Sequence, residues 1–161
     1  MDRGGYKPYT KTSITKLLDD AGFFQSFNPS QQEIFVNYLK AYEVPAQTRL
    51  MAENENNDTI FFLCAGSVDV YKQDASSKPV FIRNLELGSS IGEWSFFDHA
   101  PCFADVITAT LSIVLTLDRN DFLELSKESP YCALAFALEL FRSLTGKLRQ
   151  ANKELFLHAQ S

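Results

Sequence analysis

The residues best suited to chemistry lie in one stretch, Leu87 to Thr110. Gly92 and Glu93 form a glycine-acid pair ahead of a short apolar turn, Trp94-Ser95-Phe96-Phe97. A glycine, a carboxylate and the N–H groups that open a short helix make a cradle for an anion, because the first N–H groups of a helix lack intrahelical acceptors. A polar loop, Asp98-His99-Ala100-Pro101, comes next, then Cys102, Phe103, Ala104 and Asp105 and a β-like run from Val106 to Thr110. Asp98, His99, Cys102 and Asp105 are each able to ligate a metal. Their spacing on an irregular loop matches no ligand grammar, and His99 and His158 are too few for a histidine-lined barrel site. Cys102 near His99 is a thiolate pair without a third group to orient the base. The stretch therefore points to binding and not to catalysis.

A chain of 161 residues is long enough for one domain with a sizeable core. Its 45% hydrophobic and 13% aromatic content excludes general disorder. The net charge of −5 supplies no electrostatic footprint for nucleic acid. No apolar run is long enough to span a bilayer, and the opening residues, MDRGGYKPYT, lack the apolar centre of a signal peptide. Cys64, Cys102 and Cys132 are odd in number and far apart, which excludes a disulfide framework and sets the expectation of a reducing, cytoplasmic environment.

These residues need elements to position them. Paired glycines and Pro8 make 1–11 a flexible arm, and 12–43 reads as N-terminal helices. Thr12 or Ser13 caps the first, with Ile14, Leu17 and Leu18 at helical spacing and Gly22 at its end. Phe23, Phe24 and Phe27 form an aromatic core plug. Ser30 and Glu33 have capping-box spacing for a second helix with an apolar stripe of Ile34, Phe35, Tyr38, Leu39 and Tyr42. From Val44 to Asp118 short apolar runs alternate with turn signals: Arg49 to Ala52, Thr59 to Cys64, Val68 to Lys72, Val80 to Ile82, and Ile113 to Leu117. Such spacing predicts a small β-barrel or sandwich.

The last third, 119–161, reads as helical, with Ser129-Pro130 starting a long helix to about Leu157. Leu134, Leu138, Phe141, Thr145, Leu148, Asn152 and Leu155 alternate spacings of four and three, a heptad-like seam for a second subunit. Phe136, Leu140 and Leu144 make a second stripe, which faces the barrel. Lys147, Arg149 and Lys153 suit the C-terminal half of a helix, where cations meet the negative end of the dipole.

This order of elements resembles the cyclic-nucleotide-binding domain family. Phe27 to Glu33 is similar to the helix that opens the family's domain, and Phe61-Phe62-Leu63-Cys64-Ala65-Gly66-Ser67-Val68-Asp69-Val70-Tyr71 resembles its central hairpin. Leu87-Gly88 and Ile91-Gly92-Glu93 resemble the start of its phosphate-binding cassette. The resemblance implies a mainly β fold, a double-stranded β-helix or β-roll over 44–118 with the cassette at 87–106, flanked by N-terminal helices and a long C-terminal helix. It implies a non-enzymatic sensor with a ligand site at Gly92, Glu93, Trp94, Ser95, Cys102, Phe103, Ala104 and Asp105. Glu93 would take the ribose 2′-OH, and the backbone N–H groups of Trp94 and Ser95 the cyclic phosphate.

The family's cassette ends close to Pro-Arg-Ala-Ala-Thr, whereas this one reads Pro101-Cys102-Phe103-Ala104-Asp105. A charged bidentate donor to phosphate contributes roughly 1.5–3 kcal/mol, so Cys102 in place of arginine implies at least about tenfold weaker binding. Asp105, unless protonated or turned away, adds a negative charge. His99 and Arg83 are the cations that the sequence offers as substitutes. The expected ligand is a cyclic nucleotide or another small anion, held weakly or not at all. The partner is a second copy or another protein on the long helix, with no DNA-binding domain and no membrane. A purely structural interaction module, its pocket filled by Trp94 and Phe103, is the alternative; a metal-binding barrel is a lesser one.

Overall fold

The computed structural model describes residues 9–160, so most of the arm expected over 1–11 lies outside the described residues. Helix α1 (Lys11–Asp20) is capped by Thr10, whose hydroxyl accepts from the Ser13 N–H at 3.1 Å, and not by Thr12 or Ser13. Helix α2 (Pro29–Phe35) is capped by Asn28 and Gln31, which exchange side-chain and backbone bonds at 2.8 and 2.9 Å. The box thus begins two residues before the expected Ser30, with Pro29 at the first helical position.

The stripe expected to carry α2 on to Tyr42 is broken. A 3-10 turn, Val36–Tyr38, ends the helical segment, and Lys40–Val44 is strand β1, paired antiparallel to β8 (Ser112–Asp118). Helical and strand periodicities overlap over so few residues, and sheet pairing decides between them. The helical region predicted over 12–43 therefore stops short of β1.

The remaining strands are β2 (Arg49–Met51), β3 (Thr59–Ala65), β4 (Ser67–Gln73), β5 (Pro79–Glu86), β6 (Ser90–Ile91) and β7 (Asp105–Thr108). They form two four-stranded antiparallel sheets, ordered β1-β8-β3-β6 and β2-β7-β4-β5, which is the β-roll expected from the resemblance. Gly66 turns β3 into β4 at φ +82°, where a side chain would collide with the backbone of Leu111 and Ser112.

Alternation along β3 serves two cores. Phe61 and Leu63 face the roll interior with Val44, Leu50, Met51, Val68, Ile91, Cys102, Val106 and Val114. Ile60, Phe62 and Cys64 face the helices with Phe24, Phe35, Phe96, Leu125, Phe136 and Leu140. Being buried on both faces makes β3 read as a continuous apolar run. Phe24 sits 4.8 Å from Phe35, 5.2 Å from Phe62 and 5.7 Å from Phe136, ring centre to ring centre, which clamps the N-terminal turn between sheet and helix.

Helix α3 (Glu93–Asp98) follows β6, α4 (Arg119–Glu128) follows β8, and α5 (Pro130–Ala159) starts where Ser129 caps the Cys132 N–H. Phe136 and Leu140 of α5 are buried and Leu144 is partly buried, while Leu134, Leu138, Phe141, Leu148 and Leu155 are exposed. The two stripes expected of this helix thus lie on different faces.

Candidate functional site

Gly92 sets the cassette's geometry. It lies at φ +91°, and a Cβ there would come within 2.7 Å of the Thr59 carbonyl and 2.9 Å of Asn57 Nδ2. Only glycine fits, in conformation and in space. The chain then enters α3 with its first N–H groups free of intrahelical acceptors.

Glu93 is buried, with 4% of its surface exposed. Its Oε1 accepts from the Ser90 hydroxyl and, at 2.5 Å, from Lys147 Nζ on α5. The same ammonium donates to the Ser90 carbonyl at 3.0 Å and reaches Ser90 Oγ at 3.5 Å. Three acceptors match the three N–H groups of a lysine, so Lys147 is saturated. By its sequence position alone Lys147 is a cation suited to the negative end of the helix dipole. Its partners lie 54 and 57 residues away, beyond any local pattern.

Ser95 and Cys102 are buried on the opposite side of α3, with Ser95 Oγ 3.8 Å from Cys102 Sγ. Cys102 is fastened to the acidic loop by its N–H to the Glu55 carbonyl (2.8 Å) and by its carbonyl from the Asn54 N–H (2.9 Å). Burial pushes the Cys102 thiol above its ordinary range despite the Ser95 bond, and burial lifts Cys64 to about 12 and Cys132 to about 11. All three are neutral thiols at neutral pH, unsuited to nucleophilic chemistry. Among the described residues no group of three or more His, Cys, Asp or Glu is arranged to hold a metal ion.

Asp105 is turned away from the cassette. Its neighbour Val106 packs in the roll interior, so strand alternation directs Asp105 outward. There Oδ1 accepts from the Glu53 N–H at 2.9 Å and lies 3.9 Å from Arg49 Nε, in an outer-face cleft of about 340 Å³ shared with Asp69 and Tyr71. The negative charge that the sequence placed near an anion site is thus screened from it by the sheet.

Trp94 and Phe103 do not fill the interior. They are 58% and 59% exposed, with ring centres 6.1 Å apart at the cassette surface. Ala104 is buried between Phe103 and β7. His99 is exposed at the C-cap of α3 in a left-handed conformation, and Arg83 is exposed on the edge strand β5, opposite Val70.

Two basic residues at the site escaped the sequence reading. Lys72 of β4 donates to Glu53 Oε1 at 2.5 Å and to the Phe103 carbonyl at 2.8 Å, and its Nζ sits 4.5 Å from the Phe103 ring centre. Arg119 holds the end of α3: Nε donates to the Phe96 carbonyl at 3.0 Å, Nη2 to the Ser95 carbonyl at 2.7 Å, and Nη1 pairs with Asp58. Carbonyls in the last turn of a helix are short of intrahelical donors; the guanidinium supplies one to Phe96 and adds a second to Ser95, which also accepts from the His99 N–H at 3.2 Å. Neither residue carries a local signal, because each partner is distant in sequence.

No helix among the described residues is long and apolar enough to cross a membrane. Residues 41–129 match the sequence model of the cyclic nucleotide-binding domain. The chain is 24% identical over 142 residues to a CRP-like cAMP-activated global transcriptional regulator of Mycobacterium tuberculosis, covering 88% of this chain and 62% of that protein. It is 33% identical over 136 residues to a cyclic nucleotide-gated potassium channel of Mesorhizobium japonicum, covering 84% of this chain and 35% of the channel. The chain thus spans less than two thirds of the length of these relatives. Its fold is similar to the crystal structure of a cyclic nucleotide-binding domain from Methylobacillus flagellatus, with a TM-score of 0.84 at 19% identity over 94% of this chain and 87% of that one. The family model covers more than half of the sequence and the roll carries the same architecture: the chain belongs to the cyclic nucleotide-binding domain family, whose members are non-catalytic regulatory modules.

Proposed function

We propose that this chain is a ligand-sensing module that takes a cyclic nucleotide weakly at its cassette and passes the response through α5. The observation that carries this reading is the Glu93–Lys147 pair. The buried carboxylate on which the cassette is centred is bonded directly to the long helix, so a ligand that engages Glu93 acts on α5. Gly92, Trp94, Ser95, Cys102, Phe103 and Ala104 form the rest of the site, with Trp94 and Phe103 as an exposed aromatic rim able to stack against a base. Asp105, on the outer face, does not belong to the contact set. Weak binding then follows from Cys102 alone, since a neutral thiol replaces a charged bidentate donor.

The exposed seam of α5 supports a homodimer. Leu134, Leu138, Phe141, Leu148 and Leu155 form an uncovered apolar line at coiled-coil spacing. The net charge supports a module that does not itself bind DNA, and the neutral, unpaired thiols suit a reducing cytoplasm.

Isothermal titration with cyclic AMP and cyclic GMP, on the natural chain and on Cys102→Arg, tests the proposal. Micromolar or weaker binding by the natural chain, tightened at least about tenfold by the arginine, is the expected result. Binding by the natural chain as tight as that of the variant refutes the weakened-cassette reading. Silence from both refutes ligand sensing of this class and favours the structural interaction module.

A further inference from the structure

We infer that Lys72 is the cation that meets the anionic group of the ligand, in place of the arginine absent at position 102. The inference rests on the ligand-sensing reading above and adds to it a specific contact residue from outside the cassette.

Four observations carry it. The first is side: Val68, Val70 and Lys72 alternate onto one face of β4, and Val68 lies in the interior cluster that also holds Cys102 and Val106, with Val70 packed against it. Lys72 therefore projects on the interior side of the sheet, the side on which Cys102 is buried, while its neighbour Tyr71 pairs with the outward Asp105. The second is proximity: Nζ lies 2.8 Å from the carbonyl of Phe103, the residue that directly follows Cys102. The positive charge is thus delivered to the end of the cassette by another strand.

The third is preorganisation. Glu53, its side chain 6% exposed, accepts from Nζ at 2.5 Å while its other oxygen accepts from the Gln73 N–H at 2.8 Å. The Phe103 ring covers one side of the ammonium. The fourth is capacity. Lys72 uses two of its three N–H groups on Glu53 and Phe103, and its side chain remains 33% exposed, so a third donor is left for an incoming anion. Lys147, the other lysine at the site, spends all three donors on Ser90 and Glu93. The two lysines therefore divide the work: Lys147 ties Glu93 to α5, and Lys72 faces the ligand. A lysine meets phosphate as a point charge and not as a bidentate fork, consistent with binding that is retained but weaker.

The test is isothermal titration of cyclic AMP and cyclic GMP into the natural chain, Lys72→Met, Lys72→Arg and Glu53→Gln, with melting temperatures measured alongside. Lys72→Met is expected to bind at least about tenfold more weakly, and Lys72→Arg to stay within about threefold. Glu53→Gln, which keeps the ammonium and removes its competing carboxylate, is expected to bind no more than about threefold more weakly than the natural chain. If Lys72 merely braces the loop through Glu53, Lys72→Met and Glu53→Gln lose affinity alike, and the inference is overturned. Unchanged binding by Lys72→Met overturns it too, leaving the ligand-sensing reading intact. A natural chain silent to both nucleotides overturns that reading and this inference together.

Discussion

Replacing Lys147 with Met isolates the link between cassette and long helix. The substitution keeps the length of the stem and removes the ammonium that donates to Glu93 Oε1 at 2.5 Å and to the Ser90 carbonyl at 3.0 Å. Breaking a fully buried pair costs about 3–5 kcal/mol, because the surviving charge is left without compensation. An exposed pair is worth about 1 kcal/mol or less. Here the carboxylate is 5% exposed and the ammonium 41%, so the expected cost lies between these limits, at about 2 kcal/mol. For a domain of this size that lowers the melting temperature by roughly 4–8 °C. Urea denaturation of the natural chain, Lys147→Met, Glu93→Gln and the double variant measures it. The double variant should recover at least about half of the Lys147→Met loss, since a neutral amide no longer needs the cation. A Lys147→Met loss below about 0.5 kcal/mol, or no recovery in the double variant, refutes the idea that this pair fastens α5 to the cassette.

Arg119→Ala removes the donors to the Ser95 and Phe96 carbonyls and the partner of Asp58, and should cost about 1–3 kcal/mol, with faster amide exchange concentrated in α3. Acid should weaken the Glu53 anchor. Bonds from Lys72 and then from the Gln73 N–H hold the Glu53 carboxyl below its ordinary value of 4.5, so its stabilisation is present above that pH and lost as pH falls through the lower folded value. Urea midpoints of the natural chain should therefore drop more steeply below about pH 4.5 than those of Glu53→Gln. The homodimer proposed on the α5 seam should fall to a monomer in sedimentation equilibrium on Leu138→Asp with Leu148→Asp, without a lower melting temperature for the monomer, because both side chains are exposed within one chain.

Much of the architecture was legible because its signals are local. The Ser129-Pro130 helix start, the double stripe of α5 and the apolar run of β3 each follow from the spacing of adjacent residues. Gly92 and Glu93 stood out for the same reason, as a glycine-acid pair before an apolar turn. Where local signals overlap, the sequence leaves a choice open. Asn28 with Gln31 and Ser30 with Glu33 are equally good boxes on paper, and Tyr42 fits a helical stripe as well as a strand. In each case packing against β8 or the aromatic core made the choice.

The sequence by itself determined the order of strands and helices, and its resemblance to a known family implied the kind of module, its β-roll between helices and the reading of Cys102 in the place of a cassette arginine. Side-chain periodicity, turn chemistry and residue identity are properties of short segments, and they survive without coordinates. The tertiary structure alone decided that Asp105 faces outward, that Trp94 and Phe103 lie at the surface, and that Lys147, Lys72 and Arg119 converge on the cassette. Those facts depend on sheet register and on contacts between residues 19 to 61 positions apart, where no local pattern records which charge will meet which partner.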